Sequence, residues 1–230
     1  MGAKVGLLII ATNKYQKFIQ PLIDSANKYF LNQEAIDVEY FIFTDTFHNV
    51  ENKKRRVNLI LTKHEPWPWM TLGRYHIFSK NKDILSRLDY LFYCDADMLF
   101  CDHVGGDILS HLVATQHPGY FGRRGTPETN TKSLAYVNER EHMEYFAGGF
   151  NGGTSSAYLE MANTISTNIN EDLENKIIAV WHDESHLNRY LIDNPPTKIL
   201  DPGYCYGESL KPPFHPRLIA LDKNHKELRG

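Results

Sequence analysis

Four apolar runs that each end in polar or charged residues constrain this chain more than any other feature. They are Val5–Thr12 (VGLLIIAT), Val38–Asp45 (VEYFIFTD), Val57–Lys63 (VNLILTK) and Asp89–Phe100 (DYLFYCDADMLF). Short runs of β-branched and aromatic residues read as buried strands. Between the first two, Phe18, Leu22, Ala26 and Phe30 recur at helical spacing with Ile19 and Ile23 beside them. Pro21 is tolerated in the first turn of that helix. A second amphipathic helix is predicted over roughly Leu72 to Leu88. Strands alternating with helices predict an α/β class, a mostly parallel central sheet flanked by helices. In such sheets ligands sit beyond the carboxyl ends of the strands, so Thr12, Asp45 and Asp95 are expected to share one rim.

From His117 onward the order is less regular. HPGYFGRRGTPETNTK reads as a mobile loop, and YFAGGFNGG places two Gly-Gly pairs before a helix. Such pairs are turns by default, although glycine also lets backbone approach a ligand closely. WHDESHLNRYLI has a helical pattern that the prolines of NPPTKIL end. No repeat or long linker divides residues 1–230, which read as a single domain. Lys and Arg number 25 against 28 Asp and Glu, a net charge of −3, so a general basic field for nucleic acid is excluded. Cys94, Cys101 and Cys205 form no CxxC pair, which argues for a reducing compartment without a disulfide framework. The N-terminal apolar run is too short for a membrane span and lacks a cleavage region. A cytoplasmic protein without a membrane anchor is therefore expected.

Asp95-Ala96-Asp97 is the sharpest chemical signal. In an extended chain, residues i and i+2 share a face, so the two carboxylates converge. A divalent cation between them, Mn²⁺ or Mg²⁺ with phosphate oxygens completing its shell, relieves their repulsion. The plain alternative is a solvated pair at a strand end. Cys94 and Ala96 face the other way, as packing residues.

Trp181-His182-Asp183-Glu184-Ser185-His186 is the second signal. Its His-x-x-x-His spacing lacks the Glu that zinc peptidases place after the first His. The alternatives are polar residues opening a helix whose apolar face is Leu187, Tyr190 and Leu191, or a cluster that binds a sugar. Neither GxGxxG nor GxxxxGK[ST] occurs. Lys223 and Arg229 are solvated charges by default, or else a clamp that closes over a diphosphate.

Taken together, YLFYCDADMLFCDHVG, QHPGYFG, YFAGGFNGG, AVWHDESHLNRYL, NPPTKILDPGYCY and DKNHKELR resemble glycosyltransferase family 6 over nearly the whole chain. That family contains the retaining enzymes related to the blood-group A and B transferases and the α1,3-galactosyltransferase. The resemblance implies a single GT-A type catalytic domain over residues 1–230. Residues 1–100 would be mainly its nucleotide-binding half, and 101–230 mainly its acceptor half and tail. It places Ile10, Ala11, Thr12 and Tyr15 around the uridine and Arg74 on the donor sugar. Asp95 and Asp97 would hold Mn²⁺ and the UDP diphosphate, with Asp95 also near the ribose. Ala147, Gly148 and Gly149 would face the donor's C2 substituent, and His182 and Asp183 its hydroxyls. His117 and Trp181 would line the acceptor. Glu184 would stand beneath the anomeric carbon, also touching the acceptor, as the catalytic residue. Lys223 and Arg229 match the family's diphosphate clamp.

The implied reaction moves N-acetylgalactosamine or galactose from UDP-GalNAc or UDP-Gal, in α1,3 linkage, to a galactoside, fucosylated or not. Small residues at 147–149 go with the bulkier donor. The chain resembles the short microbial or viral members, and it has TPETNTK where many relatives have TYERR, with Glu128 keeping its place. Two rival readings stand beside this one. One is a haloacid-dehalogenase-type phosphatase using Asp95 as nucleophile, against which Leu99 stands where its motif has Thr or Val. The other is a noncatalytic glycan-binding protein.

Overall fold

A computed structural model describes residues 2–33, 35–47, 50–141, 143–211, 213–224 and 227–228. The chain runs β1 (Ala3–Ile10), α1 (Ile19–Tyr29), β2 (Ile36–Thr44), β3 (Val57–Leu61), α2 (Trp69–Leu72), α3 (Arg74–Lys80), α4 (Lys82–Leu85), β4 (Tyr90–Cys94) and β5 (Met98–Phe100). There follow β6 (Leu112–Gln116), β7 (Phe146–Thr154), α5 (Ser155–Glu174), α6 (Asp183–Asp193), β8 (Lys198–Leu200), β9 (Tyr206–Gly207) and β10 (Leu218–Ala220).

Seven strands form one sheet in the order β3-β2-β1-β4-β7-β6-β8. The β3-β2-β1-β4 part is parallel, with Ala3 opposite Ile36 and Val5 opposite Tyr90. Only β7 runs against its neighbours β4 and β6. The mostly parallel sheet expected from the alternating runs is present, and a small β5-β10-β9 sheet stands beside it.

Strand alternation divides the core. Val5, Leu7 and Ile9 of β1 join Val38, Tyr40 and Ile42 of β2 in a layer closed by Ile19, Leu22, Ile23 and Ala26 of α1. Leu8, Phe41, Phe43, Leu91 and Tyr93 point the other way, onto Phe78 of α3 and Tyr158, Met161 and Ile165 of α5. Both faces are covered, which is why the strands read as continuous apolar runs rather than alternating ones.

Two expectations are corrected. The helix predicted over Leu72 to Leu88 is three short helices, because Gly73 and Asn81 serve as junctions between α2, α3 and α4. The two Gly-Gly pairs are not turns but part of β7. Crowding explains glycine there: a Cβ on Gly152 would come within 2.3 Å of the Phe92 ring.

Phe150 of β7 is fully buried and stacks on Phe92 at 5.8 Å, with Phe30 and Phe100 edge-on to it. This aromatic cluster supports the β4–β5 junction from below. Phe150→Ala is expected to cost about 3–5 kcal/mol of stability, read by denaturant unfolding, since the cavity cannot collapse between packed rings.

Candidate active site

Because β1, β2 and β4 are parallel, their carboxyl ends share one rim. Ala11 N–H is bonded there to the Phe43 carbonyl at 2.9 Å. A cavity of about 280 Å³ opens at this rim, lined by Ile10, Thr12, Tyr15, Trp67, Arg74, Tyr93, Asp95, Asp97, Lys223 and Leu228 among others. Ala11 lies fully buried behind the wall. Asp45 takes a different part: its carboxylate accepts from Asn13 N–H at 2.9 Å and holds the turn after β1. The Thr12 hydroxyl is 2.8 Å from His64 Nδ1.

Asp95-Ala96-Asp97 is not extended. The chain turns there between β4 and β5, with Met98 N–H on the Asp95 carbonyl at 3.2 Å. The turn, rather than strand alternation, brings both carboxylates to the cavity. Cys94 and Ala96 are buried, as packing residues should be. Asp95 accepts from the Tyr93 hydroxyl at 2.5 Å and from Arg74 at 3.3 Å, and its own N–H donates to the Gly149 carbonyl at 2.9 Å. Asp97, 5% exposed, is ion-paired with Lys223. Leu221 N–H donates to the Asp97 carbonyl at 3.0 Å, so the end of β10 is what delivers Lys223. Leu228 is buried against the same cavity. Arg229 lies outside the described residues.

The Asp97–Lys223 pair bears on the metal. A buried carboxylate needs a cation, and here an ammonium fills that need beside Asp95. No three His, Cys, Asp or Glu side chains converge among the described residues. As oxygen donors the two carboxylates would fit a hard divalent ion only where other groups completed its shell.

Arg74 ties the turn to the WHDES segment. Its guanidinium donates to the Gly148 carbonyl at 2.7 Å, lies 3.1 Å from Asp183 and sits over the Tyr93 ring at 4.4 Å. Asp183 is 1% exposed, and burial together with the Asp95 charge pushes its carboxyl up to about 6 against the pull of Arg74. Arg74→Met would leave that carboxylate buried and unpaired. A loss of about 3–5 kcal/mol is expected, and the apo protein's thermal midpoint checks it.

Glu184 opens α6 next to Asp183 and accepts from Gly148 N–H at 2.8 Å. Burial, then the Asp183 charge, raises its carboxyl to about 7, with Gly148 N–H and Arg74 working against the rise. Gly148 permits this approach: a Cβ there would lie 3.0 Å from Arg74 Nη1 and 3.5 Å from Glu184 Oε2. A Cβ on Gly149 would meet Asp95 Oδ2 at 3.2 Å and Met98 Sδ at 3.3 Å. Ala147 is buried at the start of the same strand segment.

His182 holds φ 53° just before α6, in backbone space that non-glycine residues seldom occupy, and its ring packs on Trp67 at 5.2 Å. His186 is buried 3.4 Å from Asp172, so the two imidazoles have separate partners and do not form the helical zinc pair. Trp181, half exposed, donates from Nε1 to the Thr126 hydroxyl at 2.6 Å. Glu128 is turned inward, accepting from Val180 N–H at 2.7 Å, and so positions the Trp181 segment. His117 packs on Tyr120 and Tyr145, and burial depresses its imidazole to about 4. Its Nδ1 accepts from Gly119 N–H at 3.0 Å, which leaves the proton of the neutral ring on Nε2.

Sequence reasoning missed Tyr93, Trp67, Tyr145 and Asn188. Tyr93 lies two residues before Asp95 along the strand, and Asn188 stands one helical turn after Glu184, donating to its carbonyl at 2.9 Å. Those spacings could have found both. Nothing local points to Trp67 or Tyr145.

Comparison with known proteins shows the family of the chain. Residues 2–230 match the profile of glycosyltransferase family 6. The chain is 35% identical to histo-blood group ABO system transferase 1 of Rattus norvegicus over 240 residues, 98% of this chain and 68% of the relative. It is 33% identical to globoside alpha-1,3-N-acetylgalactosaminyltransferase 1 of Homo sapiens over 243 residues, 100% of this chain and 70% of the relative. O-antigen biosynthesis glycosyltransferase WbnI of Escherichia coli is 26% identical over 231 residues, 98% of this chain and 97% of the relative. These matches set aside the phosphatase and noncatalytic readings. No helix among the described residues is long and apolar enough to cross a membrane. The chain therefore belongs to glycosyltransferase family 6, and it is a glycosyltransferase with a GT-A type α/β fold.

Proposed function

We propose that this glycosyltransferase moves N-acetylgalactosamine from UDP-N-acetylgalactosamine to a galactoside, in α1,3 linkage and with retention at the anomeric carbon. The observation that carries the proposal is one buried network. Arg74 joins Asp95 to Asp183 and to the Gly148 carbonyl, and Gly148 N–H in turn holds Glu184. That it links the Asp95 turn to the buried Glu184 carboxylate supports reading the two as the ends of one donor site. The uridine would lie along Ile10, Thr12 and Tyr15, with Ala11 behind them, and the diphosphate beside Asp95, Asp97 and Lys223.

Mn²⁺, or Mg²⁺, held by Asp95 and Asp97 would stabilise the negative charge that the departing diphosphate develops. Lys223, which pairs with Asp97, would supply a second cation to the same oxygens. On the other side of the breaking bond, Glu184 in its ionised form stabilises the positive anomeric centre or attacks it. Arg74 holds Asp183 and the 148 carbonyl where donor hydroxyls would bond. Neutral His117, with its Nε2 proton, and the Trp181 indole orient the acceptor galactoside. The donor assignment rests on the small residues Ala147, Gly148 and Gly149 and on the name of one relative, globoside alpha-1,3-N-acetylgalactosaminyltransferase 1.

The test is UDP release with UDP-N-acetylgalactosamine and UDP-galactose side by side, each with a galactoside acceptor, with Mn²⁺ and in chelator. Faster turnover of UDP-galactose would overturn the donor assignment. Full activity in chelator would overturn the metal assignment, and no turnover on any galactoside would overturn the acceptor. Substituting Gly149 is a poorer test, because an alanine methyl there presses on Asp95 and Met98 and disturbs both donors' site.

A further inference from the structure

A second cavity, of about 420 Å³, lies behind the residues assigned to the acceptor and is used by nothing in the reaction above. Its aromatic wall is Tyr120, Phe121 and Tyr145, and its polar wall includes Arg123, Arg124 and Glu144. It adjoins the acceptor residues through shared side chains. His117 packs on Tyr120 at 4.8 Å and on Tyr145 at 5.7 Å. Thr126, which accepts from the Trp181 indole, donates to the Tyr120 hydroxyl at 3.2 Å. Tyr145 spans the gap, since it lines this cavity and packs on His117; burial, then the Glu184 charge, raises its phenol above the usual range.

The chemistry of the walls selects the ligand. Two guanidiniums are balanced by two carboxylates, Glu141 and Glu144. Arg124 is already engaged with the Glu141 and Asn138 carbonyls, and Glu141 is 3.0 Å from Arg189. A charged ligand would therefore meet as much repulsion as attraction. Aromatic faces beside fixed polar groups instead suit a neutral molecule with apolar C–H patches and many hydroxyls, which describes a sugar. Phe121 is 50% exposed although it packs on Phe214 at 4.7 Å, so a large aromatic face is presented at the mouth.

We propose that this cavity is an extension subsite for the inner, reducing-side sugars of a neutral oligosaccharide acceptor, with Phe121 as its stacking platform. This rests on the acceptor being a galactoside, as set out above. The chain would then select long glycans over short ones bearing the same terminal galactoside.

The test compares a galactose-terminated disaccharide with a neutral tetrasaccharide carrying the same terminus, in wild type and Phe121→Ala. In wild type, KM for the tetrasaccharide should be about tenfold lower, the ratio expected of one good stacking contact. In Phe121→Ala the ratio should fall towards one. Saturation-transfer NMR on wild-type protein with the tetrasaccharide should show its third and fourth sugars in contact. Equal KM values in wild type, an undiminished ratio in the variant, or no saturation of the inner sugars would each overturn the subsite. Turnover of the disaccharide in the same series keeps the galactoside reading intact in those cases. No turnover of either glycan would overturn that reading itself.

Discussion

Glu184→Gln is expected to lose about 10²–10³-fold in kcat while its affinity for UDP-sugar changes little. The amide keeps the shape and can still accept from Gly148 N–H, but it cannot carry the charge that a positive anomeric centre demands. A pH profile separates this from a packing defect. Glu184 faces Asp183, Arg74, the Tyr145 phenol and Gly148 N–H, and its carboxyl is raised to about 7. It is protonated below that pH and ionised above it. Chemistry that needs the anion should therefore make kcat/KM rise with pH through about 7, and that limb should vanish in Glu184→Gln. Comparable turnover in the two proteins would remove Glu184 from the chemistry.

Asp97→Asn is expected to cost on the order of 10³-fold in transfer, a few kcal/mol of transition-state stabilisation. The asparagine also leaves the Lys223 ammonium without its carboxylate, so apo stability should fall modestly, while circular dichroism should show the fold intact. Calorimetry with Mn²⁺ and UDP is the direct check: Mn²⁺ is expected to strengthen UDP binding by the wild type and not by the variant. Because Asp97 is 5% exposed and Lys223 pairs with it, a metal at this site should bind more tightly to Lys223→Met than to wild type. Turnover at the wild-type rate by Asp97→Asn in chelator would show that the carboxylate pair holds no catalytic metal.

The parts of the molecule that were legible in the sequence are those governed by local pattern. The runs Val5–Thr12 and Val38–Asp45 and the Tyr90–Cys94 segment form strands because both faces of the sheet are covered and most positions favour an apolar residue, whereas Val57–Lys63 forms a half-buried strand at the sheet edge. The helix α1 between β1 and β2, and α2 to α4 before β4, return the chain so that β1, β2 and β4 run parallel, which places Thr12 and Asp95 at one rim. Asp183 and Glu184 at the start of α6 were legible for the same reason, as acidic residues in the first turn of a helix with a clear apolar face.

Local pattern ended where long-range contact took over. Asp95 and Asp97 converge through a turn anchored to Gly149 and to Leu221, residues 54 and 124 positions away in the chain (149 − 95 and 221 − 97). No i, i+2 rule could have anticipated that geometry. The glycine pairs of β7 read as turns because glycine is rare in strands. They form a central strand because the Phe92 ring and the Arg74 guanidinium leave no room for a Cβ. Arg74 looks like one more helical charge until the fold sets it between Asp95, Asp183 and the 148 carbonyl. The sequence alone therefore determined the strands, the rim and the residue types available for catalysis. Which of those residues meet, and with what charge, was decided only when tertiary packing buried Glu184 and Asp183 around Arg74, because desolvation and pairing energies depend on neighbours that the chain order does not bring together.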